Sequence, residues 1–274
     1  MTRLAPAEHF FLPAGVGRRY CVYHPAEAEA RTALLYVAPF GEEMNRTRRA
    51  SALTARALAA LGCAVLQVDL YGCGDSDGEF GDARWDIWRE DLALAHAWLA
   101  ETTGCTVGLW GVRLGALLAL DYAHKAARPI ARFMLWQPVL HGAVYLNHLL
   151  RLRLASEMLA GGSADRGALR AALRREAQEI GGYLLAPALA DAIEAVNVGA
   201  LPPPAAPVHW LEVVAAEGRA TSPPSEQQAW TWRAQGVTVG MQAVHDEACW
   251  NTAEVAECPQ LRAATLSMLA ECRS

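Results

Sequence analysis

The 274-residue chain contains no run of about 18 apolar residues, which excludes a helix that crosses a membrane. Its first thirteen residues, Met1 to Pro13, contain no apolar segment of signal-peptide length, so no secretory leader is expected there. Paired cysteines are missing too. Cys21, Cys63, Cys73, Cys105, Cys249, Cys258 and Cys272 are odd in number, scattered, and never spaced C-x-x-C. That pattern fits neither a disulfide framework nor a zinc site. It suits free thiols in a reducing cytoplasm, with no metal or other cofactor expected. Nor is there an excess of positive charge: the net charge is −5 and the pI is near 5.9, so a nucleic-acid partner is not expected. Arg151, Arg153, Arg170, Arg174 and Arg175 form a local basic cluster whose plain reading is a solvated helix face. No internal repeat occurs. The only low-complexity tract is Pro202-Pro203-Pro204, which reads as a stiff linker.

What is present is apolar sequence in the right rhythm. Hydrophobic residues make up 53% of the chain and charged residues 19%, ample for a large core. Glu8 to Leu12 and Arg18 to His24 read as a hairpin at a sheet edge, turning at Pro13-Ala14-Gly15. Strands follow at Thr32 to Ala38, Ala64 to Asp69, Thr106 to Val112 and Arg132 to Trp136. Helices are expected over Arg48 to Leu61, Ala83 to Ala100 and Leu114 to Lys125, with a polar loop at Pro39 to Asn45. From His141 to about Pro204 the pattern becomes helix-rich and strandless. Alternation then resumes with Val208 to Val214, a helix over Glu226 to Gln235, Val237 to Val244, and a closing helix from about Gln260. The expectation is an α/β fold: a mostly parallel, doubly wound sheet of about eight strands. Its core spans 1–140 and 205–274, with a helical lid inserted at 141–204.

The stretch Cys105 to Leu120 organises the rest. A short β-forming run meets a helix at Gly111-Val112-Arg113-Leu114-Gly115. A turn that tight requires small neighbours, because it strains its central residue and raises that side chain above the sheet edge. The central residue is Arg113. A guanidinium is always charged, only donates hydrogen bonds, and cannot attack a carbonyl.

The spacing around Arg113 resembles the G-x-S-x-G nucleophile elbow of α/β-hydrolases, with arginine where the serine would stand. Asp69-Leu70-Tyr71-Gly72-Cys73-Gly74-Asp75-Ser76-Asp77-Gly78 is similar to the D-x-x-G-x-G-x-S-x-G loop of the same superfamily. More narrowly, Pro39-Phe40-Gly41-Glu42-Glu43-Met44-Asn45, Trp110 to Gly115 and Leu135-Trp136-Gln137-Pro138-Val139 resemble the exosortase A system-associated hydrolase 2 family. Those bacterial proteins are encoded beside exopolysaccharide and protein-sorting genes and are called hydrolases by fold.

The resemblance implies roles for particular positions. Arg113 takes the nucleophile slot. Backbone N–H groups of Leu114 and of the Phe40-Gly41 loop are the candidate oxyanion donors, and they survive the loss of serine. Glu217 is nearest to the slot of the acid. His245 is nearest to that of the base, although the usual histidine would fall near Ala248. Cys249 reads better as an inert thiol than as a substitute nucleophile. Glu42 and Glu43 are unexpected beside an oxyanion, whose energy a carboxylate raises. They suit instead an ion pair with Arg113, or else a helix cap and a solvated acid.

Three functions follow. The first is a hydrolase fold without serine chemistry, binding a small anionic or acyl ligand under the lid with Arg113 as anchor. The second is an active ester or thioester hydrolase using another nucleophile or an activated water. The third is a scaffold that docks a partner through the lid. A homodimer is compatible with all three.

Overall fold

The computed structural model describes residues 6–27, 29–159, 165–252 and 254–271. Ten strands and eight α-helices are present among them. The sheet strands are β1 (Glu8–Pro13), β2 (Arg18–His24), β3 (Thr32–Val37), β4 (Cys63–Val68), β5 (Val107–Val112), β6 (Phe133–Trp136), β9 (Val208–Val214) and β10 (Val239–His245). They form one eight-stranded sheet in the order β1-β2-β4-β3-β5-β6-β9-β10. Only the β1–β2 and β2–β4 pairings are antiparallel. The remaining pairs are parallel, which forces a crossover helix between most successive strands. This is the α/β-hydrolase architecture.

Parallel strands covered on both faces must be apolar on both faces, and they are. Leu35, Val37, Leu109, Leu135 and Trp210 point into a core with Trp88 and Leu92 of α2 (Trp85–Thr103) and Leu117 of α3 (Leu114–Lys125). Leu34, Tyr36, Trp110, Val112, Met134 and Leu211 point the other way. They meet Ala55 and Leu58 of α1 (Glu42–Ala60) and Leu261 of α8 (Pro259–Glu271). The central strand, β5, therefore ends in a crevice at the carboxyl edge of the sheet, where ligands of open α/β sheets bind.

Two expectations need correction. The loop foreseen at Pro39 to Asn45 is mostly helix, because α1 begins at Glu42 directly after Gly41. Gly41 (φ 63°, ψ −141°) makes the sharp change of direction, and two acids in the first turn favour the positive end of the helix dipole. The block between β6 and β9 is also not strandless. Between α4 (Gly142–Leu159), α5 (Arg166–Leu173) and α6 (Pro187–Ala195), it contains a short antiparallel hairpin separate from the main sheet. The hairpin strands are β7 (Gln178–Ile180) and β8 (Tyr183–Leu185), joined by Gly181 and Gly182, both with positive φ. Three-residue strands are too short to leave an alternation that can be told from a loop in sequence.

α4 is held hard against α6. A Cβ on Gly142 would lie 1.6 Å from the Ile193 carbonyl oxygen, and the Gly142 N–H donates to the Val196 carbonyl at 2.9 Å. Tyr145, Leu146 and Leu150 of α4 are buried on this inner side, facing the sheet edge and α6.

Candidate functional site

The site is built at the β5–α3 turn. Arg113 has φ 53° and ψ −120°, a conformation that L-residues rarely adopt and that the surrounding contacts impose. Gly111 and Gly115 make it sterically feasible. A Cβ on Gly115 would sit 2.2 Å from the Val37 carbonyl oxygen, and one on Gly111 would sit 2.4 Å from the Ala116 Cα. The Arg113 N–H donates to the Trp136 carbonyl at 3.0 Å, and its own carbonyl accepts from Val139 N–H at 3.2 Å. The turn is thereby locked to the loop after β6. There Gln137, also at positive φ (43°), accepts the Val213 N–H on its side-chain oxygen at 2.8 Å.

The Arg113 side chain stands at the crevice, 19% exposed, and its Nε donates to Glu43 Oε1 at 3.2 Å. Glu43 is 16% exposed and accepts on its other oxygen from the Tyr145 hydroxyl at 3.0 Å. Two rings flank the guanidinium, Trp250 at 5.7 Å and Tyr145 at 6.0 Å from ring centroid to Cζ, within cation–π reach. Burial, and next the Glu43 carboxylate, push the Tyr145 hydroxyl well above its ordinary range, with Arg113 partly opposing. Tyr145 is therefore a neutral donor to Glu43 at any physiological pH. Glu42 does not join this cluster. It pairs with Arg46 one turn along α1, at 3.1 Å.

The other expected residues lie elsewhere. His245 falls inside β10, paired in register with Val214, and is exposed. It lines, with Glu217, an open cavity of about 750 Å³ along β9 and β10 whose wall includes no residue of the elbow. The neighbouring Asp246 caps a helix, since its carboxylate accepts from the Gln260 and Leu261 N–H groups at the start of α8, at 2.8 and 2.9 Å. What the loop after β10 brings to the elbow is Trp250. Cys249 is fully buried, its thiol pushed far up by its bond to the Cys258 thiol and by burial, while Cys258 is pushed down by the same bond. A thiol so placed is no nucleophile.

Beside the turn, the space differs on two sides. Between Phe40, Met44, Trp85, Trp88, Leu114 and Gly115 only about 10 Å³ is left open, room for no more than a water. Toward α4 and the hairpin, a cavity of about 210 Å³ opens. Glu43 and Tyr145 reach it from the Arg113 cluster. It is lined by Phe40, Phe80, Leu149, Leu152, Ile180 and Leu185, together with the polar Glu42, His148, Arg153 and Glu179. Tyr183 closes one end, accepting from the Asn45 amide at 2.8 Å and packing edge-on against Phe80.

The Asp69–Gly78 loop is occupied with structure. Asp69 takes Arg48 and the Asp75 N–H on its carboxylate, and Ser76 donates to the Asp69 carbonyl while accepting the Tyr20 N–H. No group of three or more metal-ligating side chains occurs among the described residues. No helix among them is long and apolar enough to cross a membrane.

Comparison with known proteins agrees with this architecture. The family model for serine aminopeptidase, S33, matches residues 28–201, more than half of the chain. A comparison with curated protein sequences finds no match. Among solved structures, Est1E from Butyrivibrio proteoclasticus, in a complex with ferulic acid, superposes with a TM-score of 0.70 at 16% identity. That match covers 97% of this chain and 100% of the other. Alpha/beta hydrolase domain-containing protein 10 from mouse gives 0.61 at 17% identity, covering 98% and 100%. An alpha-beta serine hydrolase homologue from Coxiella burnetii gives 0.59 at 13%, covering 96% and 97%.

Proposed function

From the premise that the chain belongs to the serine aminopeptidase S33 family of α/β-hydrolases, we propose that it works without a serine nucleophile, as a binding protein for a small acyl ligand with an anionic head. In this reading Arg113 occupies the slot of the attacking serine, the 141–204 segment is a lid, and the ligand lies in the 210 Å³ cavity beneath it. The head group reaches Arg113 past Glu43, which lines that cavity while Arg113 lies behind it, and the acyl part lies against Phe40, Phe80, Leu149 and Leu152. The narrower resemblance of the three segments at Pro39–Asn45, Trp110–Gly115 and Leu135–Val139 supports a place among exosortase A system-associated hydrolases, and a cytoplasmic setting suits the free thiols.

One observation carries this reading: the elbow side chain is a guanidinium held by Glu43, with Tyr145 fastening the same carboxylate. An arginine can anchor an anion but cannot form an acyl-enzyme. The filled space beside Leu114 and Phe40 also favours binding over hydrolysis, since a tetrahedral intermediate needs room next to its oxyanion donors. The pair with Glu43 makes the site selective. A ligand carboxylate or phosphate must displace Glu43 from Arg113, so neutral esters gain nothing there.

The test is twofold. Wild-type protein should take no fluorophosphonate label and turn over no member of an ester and thioester panel. Stoichiometric labelling of any serine would defeat the proposal. Octanoate should raise the thermal midpoint of wild type but not of Arg113→Gln, while octanol should raise neither.

A further inference from the structure

We infer that the outer face of α4 is a docking surface for a negatively charged lipid membrane. α4 carries apolar side chains on both its inner and its outer side, the outer ones mixed with His148 and Arg151. Its inner side is buried against α6 and the sheet edge, yet Val144 (65% exposed), Leu152 (52%), Met158 (67%) and Leu159 (91%) lie in solvent. At 3.6 residues per turn these four, with His148, Arg151 and Ala155, share one face about 120° wide along the length of the helix. Several large apolar side chains exposed together on one face mark an interaction surface. The described residues cover one side only.

Charge indicates what covers the other. Residues 142–175 carry six arginines and only two carboxylates, Glu157 and Asp165, on a chain whose net charge is −5. Arg153 is held by Glu157, and Arg170 by Glu194 and Asn147. Arg151, Arg166, Arg174 and Arg175 are exposed and form no salt bridge among the described residues. Arg170 reaches Asn147, which sets α5 beside α4 on one flank of the apolar face. Leu152 and the hairpin, with the exposed Leu184 (49%), border it on the other. A face of exposed apolar residues that includes Arg151 and has the free arginines of α5 on its flank suits an interfacial helix, whose apolar residues enter the acyl boundary while arginines meet anionic headgroups.

A second copy of the chain fits less well. An isologous antiparallel contact along 144–159 would set its two-fold axis near residue 151 and bring Arg151 against its own mate. An anionic bilayer instead attracts Arg151, although Glu42 and Glu179 line the nearby cavity. Leu152 also lines the cavity, so docking would set the cavity mouth at the lipid surface. The inference stands whether or not the cavity binds an acyl ligand.

Vesicle flotation with the full chain tests it. Binding is expected to vesicles of phosphatidylcholine with one third phosphatidylglycerol, not to phosphatidylcholine alone, and it should fall as salt rises. Leu152→Glu with Leu159→Glu should reduce partitioning at least tenfold. Arg174→Gln and Arg175→Gln should each reduce it about fivefold, the equivalent of about 1 kcal/mol per arginine. All four positions are exposed, so thermal midpoints should match wild type. Should the leucine pair perturb folding, the two arginine variants carry the test. Arg113→Ala should bind vesicles like wild type, which separates this surface from the ligand reading. Equal binding to both vesicle types, or no response to any of these substitutions, would overturn the inference. A wild-type dimer in sedimentation that the leucine pair dissociates would overturn it as well, in favour of a second copy.

Discussion

Two arginine–carboxylate pairs sit at different depths of this molecule, and their surroundings differ more than their chemistry. Arg19 of β2 meets Asp91 of α2 at 2.6 Å with both side chains almost wholly enclosed, 1% and 2% exposed. Both partners are held by further contacts. Arg19 also donates to the Val16 carbonyl and lies over the Tyr71 ring, and the second oxygen of Asp91 takes the Tyr71 N–H at 2.8 Å. That pair ties the edge hairpin, the loop after β4 and α2 into one unit. Arg113 and Glu43 share a longer bond and keep some access to solvent, and Glu43 lines a cavity. A pair closed in this way is a fastening. The Arg113–Glu43 pair, longer and less enclosed, is the one that the proposed ligand would have to open.

The largest effect that could break this contrast comes from Arg19. Arg19→Met strips a buried carboxylate of its partner and should cost about 3–5 kcal/mol by urea denaturation. Arg113→Ala leaves Glu43 with Tyr145 and some water, and should cost about 1–2 kcal/mol. Arg113→Lys should fall between Arg113→Ala and wild type, since it keeps the charge and loses the planar fork. Equal losses for Arg19→Met and Arg113→Ala would erase the distinction and make the elbow arginine a structural fastening too.

The edge region also carries a pH signature. His24 of β2, bonded to Gln67 at 3.2 Å, and His96 of α2, bonded to the Tyr122 hydroxyl at 2.9 Å, both have depressed pKa values. Burial is the leading cause in each, aided by the Arg56 charge at His24 and the Arg128 charge at His96. A depressed folded-state pKa means the unfolded chain takes up protons first. The stability is therefore intact above the unfolded value of about 6.5 and lost as pH falls from there through the folded pKa. Urea midpoints should drop between about pH 7.5 and 5.5, and His96→Gln should flatten that drop. An unchanged slope in His96→Gln would remove this residue from the account.

How much of this is legible in the sequence depends on where each partner comes from. Arg18–His24, Leu114–Lys125 and Val208–Val214 have the bounds their periodicity suggests, because apolar pattern and element coincide there. The start of α1 escapes such reading, since Glu42 to Asn45 carry loop-like polarity and only the conformation of Gly41 reveals the helix. At the elbow, a raised guanidinium calls for a carboxylate, and that physical demand alone points to the acids after Gly41. Tyr145 and Trp250 give no such signal. They arrive from 32 and 137 residues further along the chain, and only the folded path of α4 and of the loop after β10 brings them to Arg113. The place of His245 after a strand pattern draws it toward the site, but β10 runs one residue longer and keeps it in the ladder.

The smallest expected effect sharpens the contrast most. Tyr145→Phe removes one hydroxyl and one bond to Glu43, while the ring stays beside Arg113 and against Phe40. A hydrogen bond to a carboxylate at such a half-open position should be worth about 0.5–1 kcal/mol. The informative quantity is its coupling to Arg113. Both groups hold the same carboxylate, one on each oxygen, so each keeps Glu43 in place for the other. In a double-mutant cycle, Tyr145→Phe should therefore cost less in the Arg113→Ala background than in wild type, with a coupling of about 0.5 kcal/mol or more. Additive losses would mean that Glu43 is positioned by α1 alone and that the tyrosine merely sits nearby. The same cycle read through octanoate affinity should couple in the same direction. Because Tyr145 helps to hold Glu43 aside once a ligand carboxylate takes Arg113, Tyr145→Phe should weaken octanoate binding in the presence of Arg113 and leave no further loss in its absence.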